Sequence, residues 1–147
     1  MTKTAAYKAP GHHTVTPYVI VPDARKAIAF YERAFGAEQV SLHTDDAGKV
    51  RHAEIRVGDS PIMLAEEFTF GGIVTKAPEA VGSTSMHLYL YVPDVDALFA
   101  RAMAAGTREV MAVADQTYED RSGGVVDPFG HVWWLATHVG RPAVSGS

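Results

Sequence analysis

The sequence predicts an α+β fold made of two tandem β-α-β-β-β modules, and three observations predict it. The first is an internal repeat. Val21-Pro22-Asp23 recurs as Val92-Pro93-Asp94, and Leu64-Ala65 recurs as Leu135-Ala136, each 71 residues later, so the two halves have nearly the same length. The second is a pair of helix-like runs, each preceded by an aspartate and closed by a glycine: Asp23 to Gly36 and Asp94 to Gly106. The third is strand-like alternation around those runs. It is clearest in His87-Leu88-Tyr89-Leu90-Tyr91-Val92, where apolar residues take one face and an imidazole and two phenols take the other. One half alone has too little apolar surface for a stable core.

Taken in order, residues 1–14 are small and polar, with Pro10, Gly11 and the pair His12-His13. A flexible arm with solvated histidines is expected there. The β-branched and aromatic run 16–21 is the first strand. Asp23 can cap a helix over 24–35, and Gly36 can end it; Ile28, Tyr31 and Phe35 share its apolar face. Strands are expected at 39–43, 50–57 and 62–66, with turns at Asp45-Asp46-Ala47-Gly48 and Gly58-Asp59-Ser60-Pro61. Module one thus spans about 15–67.

Residues 68–84 carry Gly71-Gly72, Pro78 and Gly82 and read as a linker. Phe68 and Phe70 within it either fold back as a lid or tuck into the edge of the core. Module two, about 85–138, repeats the order: a strand at 86–92, a helix at 95–105 capped by Asp94, then strands at 109–113, 124–126 and 132–137. Ser122-Gly123-Gly124 reads as a turn, as does Asp127-Pro128-Phe129-Gly130. The Gly-, Pro- and Ser-rich residues 140–147 read as a flexible tail.

Composition narrows the function classes. The chain has 147 residues, 47% hydrophobic and 20% charged, with a net charge of −4 and no Lys/Arg run. A nucleic-acid surface is therefore not expected. No segment approaches the ~18 apolar residues of a membrane span, and no secretory h-region opens the chain, so a cytoplasmic location is expected. With no cysteine, disulfides and thiolate chemistry are excluded, leaving His, Asp and Glu as metal ligands. No phosphate-binding glycine loop or serine nucleophile elbow is present.

Three segments carry a family resemblance: T-P-Y-V-I-V-P-D at 16–23 with A-I-A-F-Y-E-R-A-F-G-A at 27–37; H-A-E-I-R-V-G-D-S-P-I-M-L-A-E-E at 52–67; and D-R-S-G-G-V-V-D-P-F-G-H-V-W-W-L-A-T-H at 120–138. Through them the chain resembles the vicinal oxygen chelate superfamily, which includes glyoxalase I, extradiol dioxygenases and bleomycin-resistance proteins, and within it the PhnB-like branch. The resemblance implies a single domain over 15–139. Its paired modules form a mixed sheet curled around a cavity with helices outside, often within a homodimer.

Members of that superfamily that use a metal take a ligand from the first and last strand of each module. Those positions look like Thr16, Met63, His87 and Trp134 here, and the repeat pairs them, Thr16 with His87 and Met63 with Trp134. Only His87 is a good donor for a hard or borderline cation, so neither a metal nor another cofactor is expected. A different metal site from His52, Glu54 and His87 would need two non-adjacent strands to converge.

The same strand phase turns Thr16, Tyr18, Met63, His87, Tyr89, Tyr91 and Trp134 towards the cavity, and the PhnB-like resemblance implies that Tyr118 and Arg121 lie at its mouth. Trp133 faces the core. The expected function is metal-independent binding of an aromatic or amphipathic small molecule. The alternative is a lyase, isomerase or cyclase working by proton transfer, with His87 or the His52/Glu54 pair as base. His87 can equally be a ligand anchor or a relic of the lost metal site, and His52, Glu54 and Arg56 can equally form a polar ladder. Arg121 either clamps an anionic group or pairs with an aspartate. A third class is an interaction module with a vestigial cavity.

Overall fold

A computed structural model describes residues 7–140. The expected flexibility of residues 1–6 and 141–147 lies outside the described residues. The chain divides into two units: the chain up to Glu32 with Gly36–Ala77, and Arg33–Phe35 with the chain from Pro78 onward.

The first unit holds β1 (Tyr18–Val21), α1 (Ala24–Phe35, its last turn assigned to the second unit), β2 (Glu38–Thr44), β3 (Val50–Val57) and β4 (Ser60–Glu66). A short hairpin follows, β5 (Phe68–Phe70) and β6 (Ile73–Thr75). The second unit holds α2 (Pro78–Val81), β7 (His87–Tyr91), α3 (Val95–Ala105), β8 (Arg108–Asp115), β9 (Asp120–Val126) and β10 (Val132–His138). The sheets run β1-β4-β3-β2 and β7-β10-β9-β8, each with one parallel pair, β1 with β4 and β7 with β10.

The repeat is exact in the parallel register. Tyr18 lies opposite Met63, and 71 residues on Tyr89 lies opposite Trp134. Both long helices begin where the sequence places them, because their caps are local chemistry. Asp23 accepts from the Lys26 amide at 3.0 Å, and Asp94 from the Ala97 amide at 3.1 Å. Gly36 and Gly106 take the left-handed conformation that ends each helix, at φ 72° and 117°. A further repeat-related contact fixes each helix to its sheet. The Ala24 amide donates to Glu66 and the Val95 amide donates to Thr137, both at 2.9 Å. Each is the first-turn N–H that a helix cannot satisfy internally.

The linker 68–84 contains β5, β6 and the single turn of α2. One expectation needs correction. Ser122-Gly123-Gly124 is not a turn but the interior of β9, which begins at Asp120. The glycines serve packing. A Cβ on Gly123 would sit 2.9 Å from Val113 Cγ2 and 3.0 Å from the Met111 carbonyl oxygen, at the irregular stretch of β8. A Cβ on Gly124 would sit 2.5 Å from the Trp134 ring.

Alternate positions supply the core: Val19, Ala53, Ile55 and Leu64 in the first unit, Val125, Trp133 and Leu135 in the second, all at 2% exposure or less. The β9–β10 turn is held by a buried carboxylate. Asp127 accepts from the Phe129 and His131 amides at 2.9 and 3.0 Å and from Trp133 Nε1 at 2.9 Å. Asp127→Ala orphans these three donors, at about 1–3 kcal/mol each for a buried group. Urea unfolding should show a loss of at least about 2 kcal/mol; a change under about 0.5 kcal/mol would mean that the turn is held by other contacts.

Candidate functional site

In the first unit, strand pairing gathers the expected residues on one face. Tyr18 is opposite Met63, Met63 opposite Glu54, and Glu54 opposite Ser41. His52 and Arg56 flank Glu54 on the same side of β3. Tyr18 is 45% exposed, and its ring centroid lies 5.7 Å from that of His52, which lies 6.2 Å from His43.

Glu54 does not bond to His52. Its Oε2 accepts from His12 Nε2 at 2.9 Å, and both side chains are only 10% exposed. His12 Nδ1 lies 3.4 Å from Thr16 Oγ1. Gly11, at φ 78°, approaches the Arg56 guanidinium so closely that a Cβ would stand 2.7 Å from Nη2. His12 is therefore not solvated as expected. A carboxylate in the middle of a sheet face needs a donor, and the segment before β1 supplies one. A cleft of about 280 Å³ opens beside Tyr18, with Arg51, Phe68 and Phe70 on its walls. Phe70 is 76% exposed, so it does not tuck into the core edge.

In the second unit, His87, Tyr89 and Tyr91 stand on one face of β7, and their register partners on β10 are Val132, Trp134 and Ala136. Trp134 faces Gly124 on β9, and its ring lies against that glycine, where no side chain lifts it. Its Nε1 then reaches His87 Nδ1 at 3.0 Å. Trp133, on the opposite face, is buried.

The residue that sequence reasoning missed is Asp120. It is 3% exposed and sits on β9 opposite His138. Its Oδ2 accepts from Tyr89 Oη at 2.6 Å and Tyr91 Oη at 2.8 Å, and its Oδ1 accepts from His138 Nδ1 at 2.9 Å. Ala136 and Ser122, between these groups, are small and fully covered. The carboxyl is held below the usual carboxylate range, first by the Tyr89 hydroxyl and then by His138. The Tyr89 phenol is pushed up, mostly by burial and then by its bond to Asp120. Tyr91 is pushed up chiefly by its own bond to Asp120.

Tyr118 Oη lies 3.2 Å from Ser122 Oγ at the margin of this cluster. Arg121 points the other way. Its Nε and Nη2 donate to Asp96 at 2.9 and 3.0 Å and its Nη1 to Asp115 at 3.3 Å. Those bonds hold Asp96 below, and Arg121 above, their ordinary values.

The profile of the Glyoxalase/Bleomycin resistance protein/Dioxygenase superfamily matches residues 11–135. The chain belongs to that superfamily. The uncharacterized protein Mb0911c of Mycobacterium bovis is 39% identical over 126 residues, 85% of this chain and 83% of that protein. Among solved structures, TioX from Micromonospora sp. ML1 is similar at 25% identity and a TM-score of 0.69, covering 86% of this chain and 98% of its own. A PhnB protein from Bacillus cereus shares the fold at 20% identity and a TM-score of 0.63, covering 85% and 99%.

The positions that the resemblance marks for metal ligands carry side chains that do not fit a divalent metal. Thr16 and Met63 offer a hydroxyl and a thioether, and the Trp134 indole can only donate. Among the described residues, no group of three or more His, Asp, Glu or Cys is arranged to hold a metal ion. The lone pair of His87 Nδ1 is engaged by Trp134. Because the indole N–H donates to its Nδ1, the imidazole carries its proton on Nε2 and presents a donor to solvent.

The phenols give a direct test. A phenol whose pKa is raised in the fold stabilises it below the unfolded value near 10, and that contribution fades as pH climbs through the higher folded value. In a spectrophotometric titration, two of the six tyrosines should ionise above the ordinary range. Asp120→Asn should return both towards it; an unchanged titration curve would show that Asp120 does not hold them.

Proposed function

We propose that the chain binds a small aromatic or amphipathic molecule, without a metal, on the His87–Tyr89–Tyr91–Trp134 face of the second sheet. The observation that carries this reading is the combination of exposure and internal hydrogen bonding. Tyr89 and Tyr91 are 46% and 58% exposed, yet their hydroxyls are held by Asp120, and Trp134 and His87 hold each other. The rings stand ready and lose little rotamer freedom when a ligand arrives. Flat aromatic surface with a few oriented polar atoms is how small-molecule sites are built. The similarity to TioX and to the PhnB fold is compatible with this reading without identifying a ligand.

The test is tryptophan fluorescence during titration with a panel of planar aromatic compounds. Binders should quench Trp134, and Trp134→Phe should abolish the response while buried Trp133 still reports an intact fold. Trp134→Ala should weaken binding by about fivefold, the worth of one aromatic contact of about 1 kcal/mol. Silence across the panel, or quenching that survives Trp134→Phe, would sink the assignment.

Proton transfer has one observation in its favour, the His12–Glu54 pair, whose side chains are each nine-tenths buried. If an identified substrate turned over at an unchanged rate in Glu54→Gln, that pair would have no catalytic part.

A further inference from the structure

Resting on the aromatic-ligand reading above, the geometry points to the ligand class: we infer that the second sheet selects an aromatic molecule bearing an amine or ammonium group. The inference comes from where the protons already are. Tyr89 and Tyr91 spend their hydroxyl hydrogens on Asp120 Oδ2, so both phenol oxygens have only lone pairs to offer a ligand. Trp134 spends its N–H on His87 Nδ1, so the indole offers only its ring face. His87 is left with one N–H, on Nε2.

The face therefore presents two acceptors side by side, with ring centroids 5.3 Å apart, and a single donor near Trp134. Behind the acceptors lies an ionised carboxylate that is 3% exposed. A ligand group that donates hydrogen bonds and carries positive charge matches every element of this end: two oxygen acceptors, the π faces of the phenols, and the anion beneath them. A carboxylate ligand meets two lone pairs and a like charge.

The other charged groups on this face do not reverse that polarity. His138 is itself bonded to Asp120 Oδ1. Arg108, opposite Val126 on β8, lies three strand spacings from β7, about 14 Å away. Arg121 belongs to the opposite face and is engaged by Asp96 and Asp115.

Calorimetric titration of the full chain with tryptamine, tryptophol and indoleacetate tests the polarity, since the three share a ring and differ in the charge of the side chain. Tryptamine should bind tightest and indoleacetate weakest, about tenfold apart. Asp120→Asn should bring tryptamine within about twofold of tryptophol, and Tyr91→Phe, a change at an exposed position that leaves the core intact, should act in the same direction. Equal affinities for the three, or tightest binding of indoleacetate, would overturn the amine preference while aromatic binding stood. If none of the three bound although other aromatic compounds quenched Trp134, the ligand class would again be wrong. If nothing quenched Trp134 either, the underlying reading would fall with it.

Discussion

Parallel pairing of the first and last strand of each four-stranded sheet is the constraint from which the rest of the structure follows. Parallel neighbours cannot be joined by a hairpin, so a crossover must carry the chain between them. Here a helix and two further strands do so in both halves. The capping aspartates at 23 and 94 set where each helix starts. Glu66 and Thr137, at equivalent places on the last strands, then bind the first amide of each helix. Start, return and register are thereby tied together. The reward is positional equivalence: a residue on β1 or β4 has a counterpart on β7 or β10 with the same neighbours.

That equivalence shows how far the halves have diverged chemically. Met63 and Trp134 stand in the same place, but Met63 is next to Glu54 and Trp134 is next to Gly124. Beside Gly124 an indole can lie flat and reach across to His87. Beside Glu54 a carboxylate must find a donor, and His12 provides it. One strand position thus underlies an exposed aromatic platform in the second unit. In the first it underlies an ion-pair-like contact shielded by the segment that precedes the first strand.

What was legible in the sequence was what is decided locally. The caps, the bounds of α1 and α3, and the alternation of β3 and β7 follow from neighbours a few residues apart, and the structure places them accordingly. The second set of features depends on distant partners. Gly123 and Gly124 look like a turn until Val113 and Trp134 are known to press on them. Asp120 sits beside two residues that attracted notice, Tyr118 and Arg121, but its meaning comes from Tyr89, Tyr91 and His138, which lie 31, 29 and 18 residues away. Its parity with Ser122 and Gly124 was the available signal. Reading β9 as starting four residues later hid it. The hairpin β5–β6 was hidden for a different reason, since three-residue strands carry too little pattern to separate from a loop.

The protonation states of the second sheet bear on the choice between binding and turnover. A general base must hold a free lone pair near neutral pH, and a general acid must release its proton readily there. His87 has its free nitrogen occupied by the indole N–H. The two phenols hold their protons more firmly than ordinary tyrosines, and the carboxylate that accepts from them holds a proton less readily than an ordinary aspartate. All these effects act in the same sense, keeping each proton where it is. That fixed arrangement supports the proposed role in recognition, because every donor and acceptor that a ligand would meet is oriented before it arrives. The same hydrogen bonds give the aromatic face a defined polarity.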